Sequence, residues 1–423
     1  MSSASNAGRR GSVDDATSRW AAFAIRAEGI PGSVIDSSTS LLQNQTHDIV
    51  RMAMGSPSSD VVPNEEFAAI AHELFAGAQA DLYDYGPTEG DSELRNALMD
   101  FLAKANGVAP RAEQLLITSG GMQGLDLACK LFIDDGDIVA VEAPTYPNGT
   151  AVITSYGGVL LEVPTDEEGL DVAALEELAR KTPARMIYVI PNFQNPSGVT
   201  MSLRRRQELI ALAERWGSVI LEDDPYRQLR FRGEDVPSLQ QLAAGSVRVV
   251  SVQTFSKILA PGLRVGWVTA DEETVGRMVH AKQGVDTCTN VPMQRLTARF
   301  IQRGLLEAHI EDLKVAYRER LAQMQHGLTC HFADLDASWT EPEGGFFLWL
   351  SLPPEVDTEA LFPFAIAAGV AFIPGSAFSA SGRFSNVLRL AYTATSGART
   401  DLGLMRLRGA LSRWQAQLSD VNT

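Results

Sequence analysis

Leu115-Leu116-Ile117-Thr118-Ser119-Gly120-Gly121-Met122-Gln123-Gly124-Leu125 holds an apolar run, a glycine turn and the start of a helical pattern that continues to about Phe132. The run is of strand length and the turn is tight. Similar short runs rich in Val and Ile recur at residues 138–142, 158–163, 186–190, 219–222 and 247–252. Helical spacing fills several of the intervals, notably 172–180 and 203–216. Continuous apolar strands alternating with helices predict an α/β fold, with a mostly parallel sheet covered by helices on both faces. The texture changes after about residue 300. A long helical stretch at 305–327 precedes apolar runs at 346–350, 370–373 and 387–392, and a last helix runs to about 418. This predicts a smaller α+β C-terminal domain. The organisation expected is an N-terminal arm over 1–62, a large domain over 63–300 and a small domain over 301–423. Residues 1–17 read as disordered, and 18–26 as a short helix.

The composition narrows the function classes. The 423 residues include 45% apolar side chains, enough for a sizeable core, and the charge is 36 − 52 = −16. An acidic chain is a poor ligand for nucleic acid, because phosphate neutralisation needs a basic face. Anionic membranes are disfavoured for the same reason. No apolar stretch reaches the roughly 18 residues of a membrane span, and the richest, 361–373, is broken by Pro363 and Gly369. Three dispersed cysteines exclude a disulfide framework or CxxC motif and fit a reducing, cytoplasmic setting. Six scattered histidines give no metal signal. Arg9-Arg10 is followed by acidic residues with no apolar segment, so a secretory leader is not expected.

Three of the expected strands end in polar clusters, and ligands of open α/β sheets lie at the carboxyl ends of strands. Ser119-Gly120-Gly121-Met122-Gln123 opens a helix, whose free N–H groups and dipole suit an anion such as phosphate. Alone, it reads equally well as an ordinary strand–helix turn. Its spacing is neither the dinucleotide fingerprint nor a P-loop. In Glu222-Asp223-Asp224-Pro225-Tyr226, alternation puts Asp223 on the face of Val219 and Leu221. A carboxylate there needs a cation or a donor; Asp224 reads as an acidic loop cap. Gln253-Thr254-Phe255-Ser256-Lys257 carries one of only 6 lysines against 30 arginines. A desolvated lysine loses its proton readily and forms Schiff bases. Phosphate donors, a buried carboxylate and such a lysine are together what pyridoxal phosphate (PLP) requires.

With these clusters stand Tyr85-Gly86-Pro87-Thr88-Glu89-Gly90, Glu142-Ala143-Pro144-Thr145-Tyr146, Asn192-Phe193-Gln194-Asn195-Pro196-Ser197-Gly198, Gly262-Leu263-Arg264-Val265-Gly266, Pro342-Glu343-Gly344-Gly345-Phe346-Phe347-Leu348-Trp349 and Leu388-Arg389-Leu390. In number and order they resemble the fold-type-I PLP enzymes of the class I/II aminotransferase family, most of all its α-aminoadipate/kynurenine-type branch. The resemblance runs from about Gly55 to the C-terminus. It implies an aminotransferase acting between an L-amino acid and a 2-oxo acid by a ping-pong mechanism. It implies that Lys257 holds PLP and moves the substrate's α-proton, with Asp223 on the pyridine nitrogen. Asn195 and Tyr226 would bond the ring hydroxyl oxygen, and Asn195 would also border the substrate. Tyr146 would stack on the ring. Gly121, Met122, Thr254, Ser256 and Arg264 would hold the phosphate. Arg389 would grip the substrate carboxylate, bidentate as guanidinium chemistry allows, and Gly55 would let the N-terminal arm approach the substrate. Tyr85 would reach the phosphate of a neighbouring subunit, making a homodimer with shared sites.

Two departures from the family pattern bear on substrate. Gly121-Met122 stands where relatives often carry a hydroxyl or amide side chain, and Ala391-Tyr392 replaces polar residues after Arg389. Asp286-Thr287-Cys288-Thr289 also differs from the usual run, near the expected substrate or partner contacts. A second reading keeps the cofactor but uses it for β/γ-elimination, replacement, cyclisation or carbon–carbon bond formation in natural-product biosynthesis. A third, a PLP-binding regulator, would want a basic DNA-binding head. Residues 1–62 offer five arginines against six acids.

Overall fold

The computed structural model describes residues 47–77 and 80–421, with four isolated positions upstream. The expected disorder at 1–17 and helix at 18–26 lie outside the described residues, apart from Phe23 and Ala24.

The chain opens with β1 (Val50–Arg51), α1 (Asn64–Ala76) and α2 (Ser92–Asn106). The αβ succession follows: β2 (Leu115–Thr118), α3 (Gly121–Phe132), β3 (Ile138–Ala143), α4 (Pro147–Ser155), β4 (Val159–Asp166), β5 (Gly169–Leu170) and α5 (Val172–Leu178). It continues with β6 (Met186–Val189), α6 (Leu203–Trp216), β7 (Val219–Asp223), α7 (Leu239–Ala243), β8 (Val249–Thr254), β9 (Gly266–Thr269), α8 (Glu272–Gln283) and α9 (Val291–Gln302). Then come α10 (Leu305–Phe332), β10 (Ser338–Trp339), β11 (Phe347–Ser351), α11 (Thr358–Ala368), β12 (Val370–Ala371), β13 (Ile373–Pro374), β14 (Val387–Ala391) and α12 (Ala398–Val421).

Strands β2 to β9 form one eight-stranded sheet in the order β2-β9-β8-β7-β6-β3-β4-β5. The ladders from β8 through β7, β6 and β3 to β4 are parallel. Every residue of β2, β6, β7, β8 and β9 is buried. That is why their sequences run apolar without alternation. The helices bury one stripe each. On α3 it is Leu125, Ala128, Cys129 and Phe132, at the three- and four-residue spacing of one helical face. Helix α6 is bounded as its sequence dictates: the Ser202 side chain accepts from Arg205 N at its start, and Gly217 takes φ 67° at its end.

Strand β9 was not expected. Gly266-Trp267-Val268-Thr269 reads in sequence as the tail of the arginine motif, and it pairs antiparallel with both β2 and β8. The pairing Thr254↔Gly266 also extends β8 two residues past the expected end at Val252. Thr254 is therefore fixed by the sheet itself. A second sheet, β10-β11-β14-β13, is wholly antiparallel, and β1 pairs with β12 beside it. Helix α10 runs to Phe332, five residues beyond the expected 327. No helix among the described residues is long and apolar enough to cross a membrane.

Candidate active site

The turn between β2 and α3 sits against the end of β8. Gly120 has φ 84°, and a Cβ there would stand 2.5 Å from Arg264 Nη2. Gly266 is equally constrained, since its Cβ would lie 2.8 Å from Gly120 C and 3.0 Å from Gly121 N. So the first turn of α3 packs directly on β9, and Arg264 reaches over it to donate from Nη2 to Ser119 O (3.2 Å). The glycine that geometry demands here is Gly120; a side chain at Gly121 would meet only ordinary contacts, the nearest being Thr254 Cβ at 3.7 Å. The Thr254 and Ser256 hydroxyls are 2.8 Å apart and both buried. Gly121, Met122, Thr254, Ser256 and Arg264 thus surround one helix N-terminus, with N–H groups, hydroxyls and a guanidinium. This donor set suits a phosphate dianion.

One step along the strand ends lie the groups for a pyridine ring. Asp223 ends β7, and its Oδ2 accepts from Tyr188 OH at 2.9 Å. Burial pushes the Asp223 carboxyl up to about 7, against the opposing influences of the Tyr188 hydroxyl and the Lys257 charge. Lys257 is part-buried, and its Nζ donates to Gly55 O at 2.5 Å. Desolvation, with the Arg389 charge adding to it, brings the amine down to about 8, while Asp223 works in the other direction. A fraction of the amine is therefore neutral, and nucleophilic, near physiological pH. Tyr226 is buried against Phe346 and Phe347, with ring centroids 5.4 and 5.9 Å away. The Tyr146 hydroxyl points to Met122 Sδ at 3.9 Å, bringing this ring beside the cradle.

Arg389, on β14 of the second sheet, is 1% exposed. Its guanidinium lies between two aromatic rings, 4.1 Å from the Phe347 centroid and 5.1 Å from that of Phe378. Nη1 donates to Asn195 Oδ1 (2.9 Å) and Nη2 to Ala53 O (2.7 Å). Nε is buried and, among the described residues, has no hydrogen-bond partner. Since Asn195 Oδ1 faces the arginine, its amide N–H groups remain as donors. Residues from the N-terminal segment, the large sheet and the second sheet thus meet at one place.

Tyr85 does not join them. It is 83% exposed on the loop before α2. Asp224 departs from the expected solvated cap: it is 2% exposed. Asn192 Nδ2 donates to its Oδ1 (2.8 Å), and Arg227 Nη1 lies 4.0 Å from Oδ2. The neighbouring α7 and the 224–227 turn cover this face of β7, which alternation along the strand could not reveal. Sequence reading gave no role to Tyr188, hidden in an apolar strand, or to Glu142, quoted only as part of a motif. Glu142 is 1% exposed and accepts from Ile190 N at 3.0 Å, bracing the loop that carries Asn195. A polar residue inside an otherwise apolar strand is the signal that would have found Tyr188. A cavity of about 1000 Å³ is lined by Val219 and Val249, which begin their strands, so it lies at the end of the sheet away from this cluster.

The residues fit PLP. A cradle that a Cβ at Gly120 would fill suits the phosphate. A buried carboxylate within reach of a lysine with a lowered pKa suits the ring. An unpartnered guanidinium nitrogen suits an incoming carboxylate.

The profile of the "Aminotransferase class I and II" family matches residues 47–404. The chain is 36% identical to the aromatic-amino-acid aminotransferase 1 of Thermococcus litoralis, over 91% of this chain and 93% of that one. It is 38% identical to the 2-aminoadipate transaminase of Thermus thermophilus, over 92% and 96%. The crystal structure of the kynurenine aminotransferase of Pyrococcus horikoshii, in complex with PMP, superposes with a TM-score of 0.86 at 35% identity, covering 92% of this chain and 97% of the other.

Proposed function

This chain belongs to the class I and II aminotransferase family, and within that membership we propose that the cluster around Lys257 is its catalytic centre. The protein is a PLP-dependent transferase of the fold-type-I class that moves an amino group between an amino acid and a 2-oxo acid. When bound, PLP supplies the electron sink for the substrate's α-carbon. Lys257 Nζ would anchor the cofactor and would take and return the substrate's α-proton. Asp223, as the carboxylate, keeps the ring nitrogen protonated. Asn195 and Tyr226 donate to the ring hydroxyl oxygen, and Tyr146 covers the ring face. The amides of Gly121 and Met122, the hydroxyls of Thr254 and Ser256, and Arg264 bind the phosphate. Arg389 holds the substrate carboxylate, its plane fixed by Phe347 and Phe378, and Gly55 brings the N-terminal segment over the substrate.

The observation that carries this reading is the convergence of Lys257, Asp223 and Arg389 beside the α3 cradle. A panel of amino acids, including aromatic ones, 2-aminoadipate and kynurenine, tests it by the visible spectrum of the holoenzyme. One equivalent of pyridoxamine phosphate should form with an amino acid alone. A cofactor that returns unchanged while the amino acid is consumed would transfer the assignment to elimination or replacement chemistry.

We further propose a large cofactor-binding domain over 63–300 and a small domain over 301–423, with the 1–62 arm on the small domain and the substrate entrance. The two separate sheets, and the β1–β12 pairing, support this division. We also propose a cytoplasmic homodimer with shared sites. Tyr85 stands on a surface with Phe75 and Tyr83, exposed by 83%, 45% and 68%, an apolar patch of the kind partners cover. The three cysteines are unpaired, which fits a reducing compartment. In a mixed dimer of Tyr85→Phe with Lys257→Ala chains, the one site with an intact Lys257 borrows Tyr85 from the other chain. That site should retain PLP like wild type. A site that keeps the Tyr85→Phe defect, or a monomer on sizing, would sink the shared-site proposal.

A further inference from the structure

Among the described residues Lys282 is the lysine with no exposed surface, at 0%. It lies in the last turn of α8, and its Nζ is 2.6 Å from Asp286 Oδ1. The other carboxylate oxygen, Asp286 Oδ2, accepts from Ser119 Oγ at 2.7 Å and from Gln123 Nε2 at 2.8 Å. Gln123 in turn accepts from Ser119 N through Oε1, at 2.8 Å. Arg264 Nη2 holds the Ser119 carbonyl. Ser119 is therefore fixed through its amide, its hydroxyl and its carbonyl. It is the residue that sets the path of the chain into Gly120-Gly121-Met122.

Asp286 itself is an awkward neighbour for a phosphate. An uncompensated carboxylate close to the first turn of α3 would oppose both the helix dipole and Arg264. Burial works against its ionisation, yet the bonds from Lys282, Ser119 and Gln123 prevail and hold it below the usual carboxylate range. So the carboxylate is ionised, and a cation with no other carboxylate within bonding distance among the described residues is locked to it. A neutral acceptor would have tied Ser119 and Gln123 without that cation, but with weaker bonds; charge-assisted hydrogen bonds are roughly twice as strong as neutral ones.

We propose that Lys282 and Asp286 are a charge-compensated positioning pair for the phosphate cradle: Asp286 fixes Ser119 and Gln123, and Lys282 cancels the carboxylate's field at the N-terminus of α3. The inference rests on the reading that the α3 N-terminus receives the cofactor phosphate. It gives a role to the 286–289 segment that departs from the family pattern, and to a buried lysine outside the reacting centre.

The test compares the affinity of the apoenzyme for PLP with that for pyridoxal, which lacks the phosphate, by titration of tryptophan fluorescence. A change that merely loosens the fold moves both affinities together and leaves their ratio alone. Lys282→Met leaves Asp286 uncompensated, and the PLP-to-pyridoxal ratio should fall about tenfold or more, from one unit charge at short range. Lys282→Met/Asp286→Asn removes both charges at nearly constant shape and should restore the ratio to within about threefold of wild type. Gln123→Met, at a partly exposed helix position, keeps both charges but cuts the tie to Ser119. It should lower the ratio by about threefold to tenfold, as for one neutral hydrogen bond, and it decides the matter should Lys282→Met not fold. A wild-type ratio in Lys282→Met, a double variant no better than the single one, or an unchanged ratio in Gln123→Met would overturn the proposal. Equal binding of PLP and pyridoxal by the wild-type chain would instead overturn the phosphate cradle on which it rests.

Discussion

Asp223 and its neighbours Glu222 and Asp224 stand on opposite faces of β7, and all three are buried, yet their surroundings differ in kind. On the α7 face, Glu222 Oε1 accepts from Leu239 N at 2.7 Å, at the start of that helix. Asp224 accepts from Asn192, which accepts from Arg206 Nη2 at 2.7 Å. Asp224 Oδ2 and Arg227 Nη1, 4.0 Å apart, face each other as charges, and neither has a hydrogen-bond partner among the described residues. On the other face Asp223 takes one side-chain bond among the described residues, from Tyr188. Among those residues Lys257 gives one, to Gly55 O, and Arg389 Nε gives none. A carboxylate has room for about four bonds and an ammonium has three donors. One face spends its charges on the fold. The other keeps unsatisfied capacity, which costs stability and leaves groups free to act on a ligand.

The comparison breaks first at Lys257. Lys257→Ala should lower turnover by at least about a thousandfold, as loss of both nucleophile and proton carrier, with little loss of fold. Borohydride reduction of wild-type holoenzyme should fix the cofactor mass on the Lys257 peptide. Mass on any other lysine would reassign the centre.

Asp223→Asn and Asp224→Asn test the two faces side by side. Asp223→Asn should retain PLP while kcat falls about a hundredfold to a thousandfold, since an amide gives no charge to the pyridinium. Its apoenzyme should be at least as stable as wild type at pH 8. The sign follows from the raised pKa of about 7. A carboxyl raised above its unfolded value favours the fold when protonated, and that contribution is lost as pH rises through about 7. An amide has no such loss. Asp224→Asn should leave kcat within about threefold, because Asp224 bonds Asn192 and faces Arg227 on the α7 side rather than Lys257. Denaturation midpoints and steady-state rates on both variants decide it, and the opposite pattern would exchange the roles of the two faces.

Tyr188→Phe sharpens the contrast. It removes the bond to Asp223 and should reduce kcat/KM about tenfold, one hydrogen bond to a charged group. In the apoenzyme it should move the Asp223 titration above the present value of about 7. Infrared difference spectra of the carboxyl stretch would read that shift, and an unmoved titration would leave Tyr188 a packing residue.

The smallest effect is one of shape. PLP capture by the apoenzyme requires neutral Lys257, so its rate should rise with pH through about 8 rather than 10.5. A stopped-flow profile still climbing steeply at pH 10 would show that the amine is not desolvated.

Much of this was legible along the chain. The strands at 115–118 and 219–222 sit where their patterns place them, because burial on both faces of the sheet demands continuous apolar runs, and the helix at 203–216 follows its own spacing. The scarcity of lysine drew attention to Lys257, and alternation assigned Asp223 to one face. Neither clue says what lies opposite. That Asp224 meets Asn192, that Tyr188 supports Asp223, that Gly120 and Gly266 hold α3 against β9, and that Asp286 ties Ser119 are contacts across 32 to 167 positions. Periodicity reports the environment of a residue averaged over its own element. Hydrogen bonds and ion pairs act over a few ångströms between particular atoms, and only the packing of distant strands and helices brings those atoms together.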